Sequence, residues 1–246
     1  MITVTGPLPY RVLTGPDDAT FCERVSAALA DGYELHGSPA LTFDGDRVVV
    51  AQALTYQAVD RARVVGYDDR WPDRARALIA ELADSLGPRA LRIDHIGSTA
   101  IAGMAAKDLL DLQVSVAALD PAAKAFDEPL ARLGFARTPF QQDHVPAGSA
   151  DAPDRWAKRY WHRHHHPAGD VNLHVRVAGA PNERLALLFR DWFRAHPAAV
   201  PAYASFKRVL ADSVADRDAY TDVKDPVVDL VVGVAEQWAA DTGWQP

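Results

Sequence analysis

The stretch DHIGSTAIAGMAAKDLLDLQVSV, residues 94–116, sets a Gly97-Ser98 turn between two apolar runs and places one carboxylate, Asp111, inside the second run. A glycine directly after a strand lets the backbone come close to a ligand, and unpaired N–H groups at the start of a helical turn attract anions. The Ser98 hydroxyl adds a donor. Asp111, on the next strand, suits a hard cation such as Mg²⁺ held against the same phosphate. The expected chemistry is phosphate at the turn and metal at the acid. A Gly-Ser pair also occurs in plain turns, and an Asp at a strand end is often a cap. Further residues therefore have to join the site.

Several basic, aromatic and imidazole side chains are candidates. His95 precedes the turn and is placed to orient a phosphate or Asp111, although a lone histidine more often has a structural role. Lys158 and Arg159, in RWAKRYWHR, are better phosphate contacts than the neighbouring histidines are zinc ligands. Arg190, in LLFRDWFRAHP, has two readings of equal weight: a ligand phosphate, or an ion pair with Asp191 or another surface acid. Leu187, Leu188 and Trp192 of the same stretch are expected in the core. Tyr203 and Lys207 stand one helical turn apart, and Tyr220 and Lys224 repeat the arrangement. Such a pair can stack a base and neutralise a phosphate, or pack as an amphipathic face with a snorkelling lysine. His162, His164, His165 and His166, with Asp170 behind them, have no defined ligand spacing, so a solvated loop is expected there. A second His-Gly-Ser, at His36, has no acid-bearing strand after it and reads as a turn. Cys22 is expected on the buried face of its helix, which removes Cys22 and His36 as a nucleophile pair.

The elements that must position these residues follow from pattern. YRVLT reads as a strand, and GPDDATFCERVSAALADGY as a helix with Asp near its start and Gly32 as its stop. YELHGSPALTF and RVVVAQALTY form a hairpin around DGD. This β-α-β-β order predicts a small first domain over residues 1–60, joined by the polar stretch QAVDRARVV to a second domain, 61–246. There a short strand-like VVGY precedes an amphipathic helix ended by Gly87-Pro88. LRIDHIGS and LLDLQVSV read as strands, with TAIAGMAAK helical between them. PAAKAFDEPLARLGF is a helix, VNLHVRV an alternating strand, and the last third three helices. The fold class is α+β, a mixed sheet with helices gathered at one end.

The chain has 246 residues, 48% of them hydrophobic and 24% charged, as expected of a globular protein. No apolar run approaches the roughly 18 residues of a membrane span, and the N-terminus lacks the pattern of an export signal. The single cysteine excludes an intrachain disulfide and a Cys-based zinc site, and a reducing cytoplasm is the expected location. A formal net charge of −7 argues against nucleic acid as a partner of the molecule as a whole. Local basic clusters in an acidic chain suit a small phosphate-bearing ligand better than a long polyanion.

HIGSTAIAGMAAKDLLDLQVSV resembles the signature of the GrpB (UPF0157) family, within the nucleotidyltransferase superfamily of polymerase-β-like fold. The resemblance runs through VVGYDDRWP upstream and through WAKRYW, VNLHVRV, LLFRDWFRAHP, YASFKRVLA and YTDVKDP downstream, in order, over about residues 63–240. Residues 8–56 are similar to the small DUF1737 domain. The resemblance implies a mixed sheet with C-terminal helices, nucleotide phosphates at Gly97 and Ser98, and a Mg²⁺ ion at Asp111. It also implies basic partners at Lys158 and Arg159, which match a Lys-Arg motif of the family. Active members of the superfamily carry a second acid two residues on and a third on a neighbouring strand. Here those positions hold Gln113 and the strand VNLHVRV, with Asn172, His174 and Arg176 on one side. Fewer carboxylates weaken a two-Mg²⁺ site, and restoring one with Gln113→Glu is expected to tighten metal binding. The resemblance thus implies a nucleotide- or phosphometabolite-binding protein that transfers a nucleotidyl group weakly or not at all. The alternative is a catalytically silent ligand-binding module, with the N-terminal domain as adaptor to a protein partner.

Overall fold

The computed structural model describes residues 8–56, 62–214 and 216–246, without the side chains of residues 217 and 218. The chain divides into two compact units, Met1–Asp60 and Arg61–Pro246. The linker stretch 57–61 lies outside the described residues.

The first unit contains strand β1 (Tyr10–Pro16), helix α1 (Ala19–Ala30) and strands β2 (Glu34–Phe43) and β3 (Val48–Thr55). The strands form an antiparallel sheet in the order β1-β3-β2. Asp18 caps α1 by accepting from the Phe21 N–H at 3.0 Å, which fixes where the helix starts. Leu13, Phe21, Ala28, Tyr33, Val50 and Leu54 make its core. Cys22 lies exposed, contrary to the expected buried position, because Phe21 and Ala28 take the inward face of α1.

The second unit starts with helix α2 (Trp71–Leu86), strand β4 (Arg92–Ile96), strand β5 (Leu109–Val116) and helix α3 (Leu119–Arg132). Strands β6 (Ala136–Arg137), β7 (Arg159–Arg163) and β8 (Asp170–Val177) follow, and helices α4 (Pro181–Ala195), α5 (Val200–Ser213) and α6 (Arg217–Thr242) end the unit. The five-stranded sheet has the order β4-β5-β8-β7-β6. Only the β5–β8 pair is parallel; the others run antiparallel. Helices lie against both faces, not at one end as expected.

Period-two alternation gives the sheet two unlike faces. Leu110, Leu112, Val114, Val171, Leu173, Val175 and Trp161 pack with Trp71, Leu78 and Leu82 of α2 and Phe126 and Leu130 of α3 in the main core. The other face carries Asp111, Gln113 and Ser115 on β5 beside Asn172, His174 and Arg176 on β8. Helix α4 covers part of this polar face: its buried Glu183 accepts from Ser115 Oγ at 2.7 Å and pairs with Arg92.

Two local expectations change. TAIAGMAAK forms only a 3-10 turn, Ser98–Ala100, because Gly103 takes a left-handed conformation (φ 75°) and Ala106 bridges to Val65. RYWHR, which showed no strand pattern, is β7. There Trp161 is buried at 1% exposure and His162 and Arg163 belong to the strand, so the histidine-rich loop starts after them. Among the described residues no helix is long and apolar enough to cross a membrane.

Candidate functional site

A pocket of about 330 Å³ opens at the end of the polar face where β4 turns into the 3-10 turn. Gly97, Ser98, Asp111, His174, Lys207, Tyr220 and Lys224, all expected site residues, line it, together with Lys107 and Asn172. The β4–β5 register sets Ile96 opposite Asp111, and the β5–β8 register sets Asp111 opposite Asn172. Gly97 has φ 67° and ψ −167°, a region open essentially to glycine alone. The turn is bare of a side-chain cap, which leaves its first N–H groups for an anion.

Asp111 accepts from Asn172 Nδ2 at 2.9 Å and faces His174 Nε2 at 3.8 Å. Burial pushes its carboxyl up, but His174, the Asn172 amide and the Lys107 charge outweigh this and hold it below the usual carboxylate value. Burial, with Arg176 nearby, pushes His174 down to about 4, so its ring is neutral near pH 7. Asn172 is locked in turn, its Oδ1 accepting from Tyr160 Oη and bonded to His164 Nε2. Lys207 Nζ donates to Ser98 Oγ at 2.8 Å. Lys107 stands over the Tyr220 ring at 5.1 Å, and Lys224 lies 3.9 Å from Asp225. Three lysines thus face one carboxylate in the lining.

The tyrosines do not offer faces to a base. Tyr220 is 3% exposed and Tyr203 7%, and the ammonium groups of Lys107 and Lys207 lie over their rings. The base-stacking reading of the two Tyr-Lys pairs gives way to packed rings that carry lysines into the pocket.

Five expected contacts lie elsewhere. His95 alternates to the Leu112 side of the sheet, where its Nε2 bonds Thr99 Oγ1 at 2.9 Å and braces the turn from behind. Burial lowers it to about 4. Arg159 shares the face of Trp161 and pairs with Asp120 at the start of α3. Lys158 and Arg176 are held by Asp143: Lys158 Nζ donates at 2.7 Å, Arg176 Nε at 2.7 Å and Arg176 Nη2 at 3.0 Å. Asn182 Nδ2 adds a further bond to the same carboxylate at 3.0 Å. Arg190 takes the ion-pair reading, bonding Asp191 at 2.7 Å, and it also donates to the His95 carbonyl at 3.2 Å.

Gln113 is fully buried. Its Oε1 accepts from Arg176 and its Nε2 donates to the Glu183 carbonyl at 3.2 Å. The position of a second acid is therefore turned into the sheet–α4 seam, away from the pocket. Among the described residues no group of three His, Cys, Asp or Glu side chains is arranged to hold a metal. One bonded carboxylate amid three lysines does not fit a resident two-ion Mg²⁺ cluster.

Comparisons with known proteins agree on the chain's relatives. Residues 61–233 match the family described as GrpB protein, and residues 8–57 match the domain of unknown function DUF1737. A protein named dephospho-CoA kinase from Mycolicibacterium paratuberculosis is 37% identical over 82% of this chain and 53% of its own length. A dephospho-CoA kinase of Mycobacterium tuberculosis is 37% identical over 75% of this chain and 48% of its own. The chain thus spans about half the length of these relatives. A UPF0157 protein of Pseudomonas aeruginosa is 33% identical over 72% of this chain and 68% of its own length. The crystal structure of a conserved GrpB protein from Enterococcus faecalis superposes with a TM-score of 0.56 at 22% identity, covering 72% of this chain and 99% of that one.

Proposed function

Given that this chain belongs to the GrpB family, we propose that its pocket binds a phosphorylated small molecule, a nucleotide or a phosphometabolite. The observation that carries this is the lining itself: Lys107, Lys207 and Lys224 around a glycine-led turn with uncapped N–H groups, against the single acid Asp111. The charges of Lys107 and Lys224, joined by Lys207 once an anion favours its proton, suit a multiply charged anion in a partly enclosed pocket. The relatives named dephospho-CoA kinase favour a ligand with phosphate of the nucleotide kind. With the tyrosine rings packed away, recognition runs through phosphate more than through a base. Asp111 is left to orient a ligand hydroxyl or, with phosphate oxygens supplying the other donors, a single Mg²⁺ that arrives with the ligand. Nucleotidyl transfer through a two-ion route has no support in the donor set.

Thermal unfolding of the full chain tests this, with inorganic pyrophosphate and a nucleoside triphosphate, each with and without Mg²⁺. A ligand at a hundredfold over its Kd stabilises by about 2.7 kcal/mol, a clear rise in Tm. Lys107→Ala with Lys224→Ala, or Ser98→Trp, should remove that rise while the protein without ligand still unfolds cooperatively. An unchanged rise in these variants would place the ligand elsewhere.

A further inference from the structure

Simple phosphate binding does not account for the surroundings of Lys207. The residue is 2% exposed, yet among the described residues it pairs with no carboxylate. Its Nζ bonds the Ser98 hydroxyl at 2.8 Å and lies 5.2 Å from the centre of the Tyr203 ring. A buried lysine with no carboxylate in bonding contact favours the neutral amine, which accepts a proton. Burial and the like charge of Lys224, opposed by the Asp111 carboxylate and aided by Arg208 and Lys107, bring Lys207 down to about 7. Ser98 is only partly buried and faces the pocket. It is the first residue of the 3-10 turn, directly after Gly97.

We propose that Ser98 and Lys207 act as nucleophile and general base, taking a phosphoryl group from the phosphorylated ligand onto Ser98. This rests on the reading of the pocket as a phosphate site. Ser98 Oγ attacks phosphorus while its proton passes to Lys207 Nζ. The bond from phosphorus to the leaving oxygen breaks, and that oxygen takes the proton from Nζ. Water then attacks the phosphoserine and gives its proton to Lys207. The Oγ–P bond breaks, Oγ is reprotonated from Nζ, and inorganic phosphate leaves. Lys107 and Lys224 hold the charged body of the ligand throughout.

The test incubates the full chain with a fluorophosphonate probe, whose P–F bond breaks as Oγ–P forms, and separately with acetyl phosphate. Adducts are located by peptide mass spectrometry. The expected result is one adduct, on Ser98, formed faster with rising pH: through about 7 for the fluorophosphonate, and at higher pH for acetyl phosphate, whose charge raises Lys207. Ser98→Ala should abolish it. Lys207→Arg, which stays protonated, and Lys207→Met should each slow it at least about a hundredfold, the usual scale of general-base catalysis. Melting curves confirm that each variant is folded. No Ser98 adduct in a protein that pyrophosphate still stabilises would overturn the pair and leave the phosphate site standing. Neither adduct nor stabilisation would overturn both. Adduct formation at an unchanged rate and pH profile in Lys207→Arg would remove Lys207 as the base.

Discussion

A Cβ built on Gly97 would lie 2.5 Å from Oδ2 of Asp111 and 2.9 Å from its Cβ. The turn and the acid are thus packed as one unit, and the glycine is required twice, by that contact and by its backbone angles. Gly97→Ala should destabilise by about 1–3 kcal/mol, the range for a residue forced into a disfavoured region, and should abolish the pyrophosphate shift. Gly233→Ala, at a helical glycine with open space around it, should leave stability unchanged or raise it by about 0.4–1 kcal/mol. Denaturant unfolding of both variants measures the contrast. Equal effects would show that the close approach at Gly97 does not matter.

Anion binding should take up protons near neutrality. Lys207 sits at about 7 in the folded protein because burial, then Lys224, disfavours its charge. A bound phosphate favours that charge and raises the value. Pyrophosphate affinity should therefore fall as pH rises through about 7. Calorimetry in buffers of different ionisation enthalpy should show proton uptake that disappears in Lys207→Met. Proton release on binding, or none, would contradict this.

Asp143 should be a stability residue, although it bonds two cations once expected at the ligand. Asp143→Ala leaves Arg176 and Lys158 largely buried without their acid, and breaking such a pair costs about 3–5 kcal/mol. Arg176 and Lys158 hold the Asp143 carboxyl far below the usual range, against burial that raises it. Its stabilisation is therefore present above the unfolded value of 3.8 and is lost as pH falls below that. His95 and His174, both lowered to about 4 by burial, act in a higher window. Unfolded histidines bind protons first, so stability should already decline from about pH 6.5 towards 4. Chemical denaturation across pH should show both phases. In Asp143→Ala the lower phase should shrink to what other lowered carboxylates such as Asp111 contribute, with the histidine phase retained.

Gln113→Glu, expected from the sequence to tighten metal binding, should not create a Mg²⁺ site. The new carboxylate would pair with Arg176 and lose the donor to the Glu183 carbonyl, setting two oxygens against each other. The variant should be less stable by about 1–3 kcal/mol, the cost of an unmet buried polar group. Isothermal titration with Mg²⁺ should give the same weak response as the natural protein. A new Mg²⁺ site of clearly higher affinity would show that position 113 reaches the pocket.

A fragment beginning at Ala62 should fold alone. Each unit has a separate apolar cluster, around Leu54 in the first and around Trp71 and Phe126 in the second. The fragment should give a cooperative melt and keep the pyrophosphate shift. A molten fragment would mean that the two cores depend on one another.

The strands and helices were largely legible because alternation and caps are local: LLDLQVSV and VNLHVRV show their two faces directly, and Asp18 and Gly32 mark the ends of α1. The turn, its acid and the two late lysines were legible as residue types, and the fold brings them to one pocket. What failed was partner assignment. Asp143 lies in an irregular loop with no periodicity, so nothing in RWAKRYW or VNLHVRV indicates that Lys158 and Arg176 are already claimed. Lys107 was missed, although it lies four residues before Asp111 at the entrance of the same strand. RYWHR carries no period-two alternation, so the face on which Arg159 lies is set by β7 and is not legible in the sequence.

The parallel pairing of β5 with β8 has a consequence for how the chain matures. Asp111 meets Asn172 only after an intervening crossover of helix, loop and antiparallel strand has been laid down, and such distant pairings form late. Lys207 and Lys224 come later still, from α5 and α6. During synthesis the sheet and its α2–α3 core can therefore assemble while the pocket is still without two of its three lysines. On the proposed function, capacity for a phosphorylated ligand would be among the last properties a growing chain acquires, and a chain stopped before Lys224 would lack part of the pocket's charge.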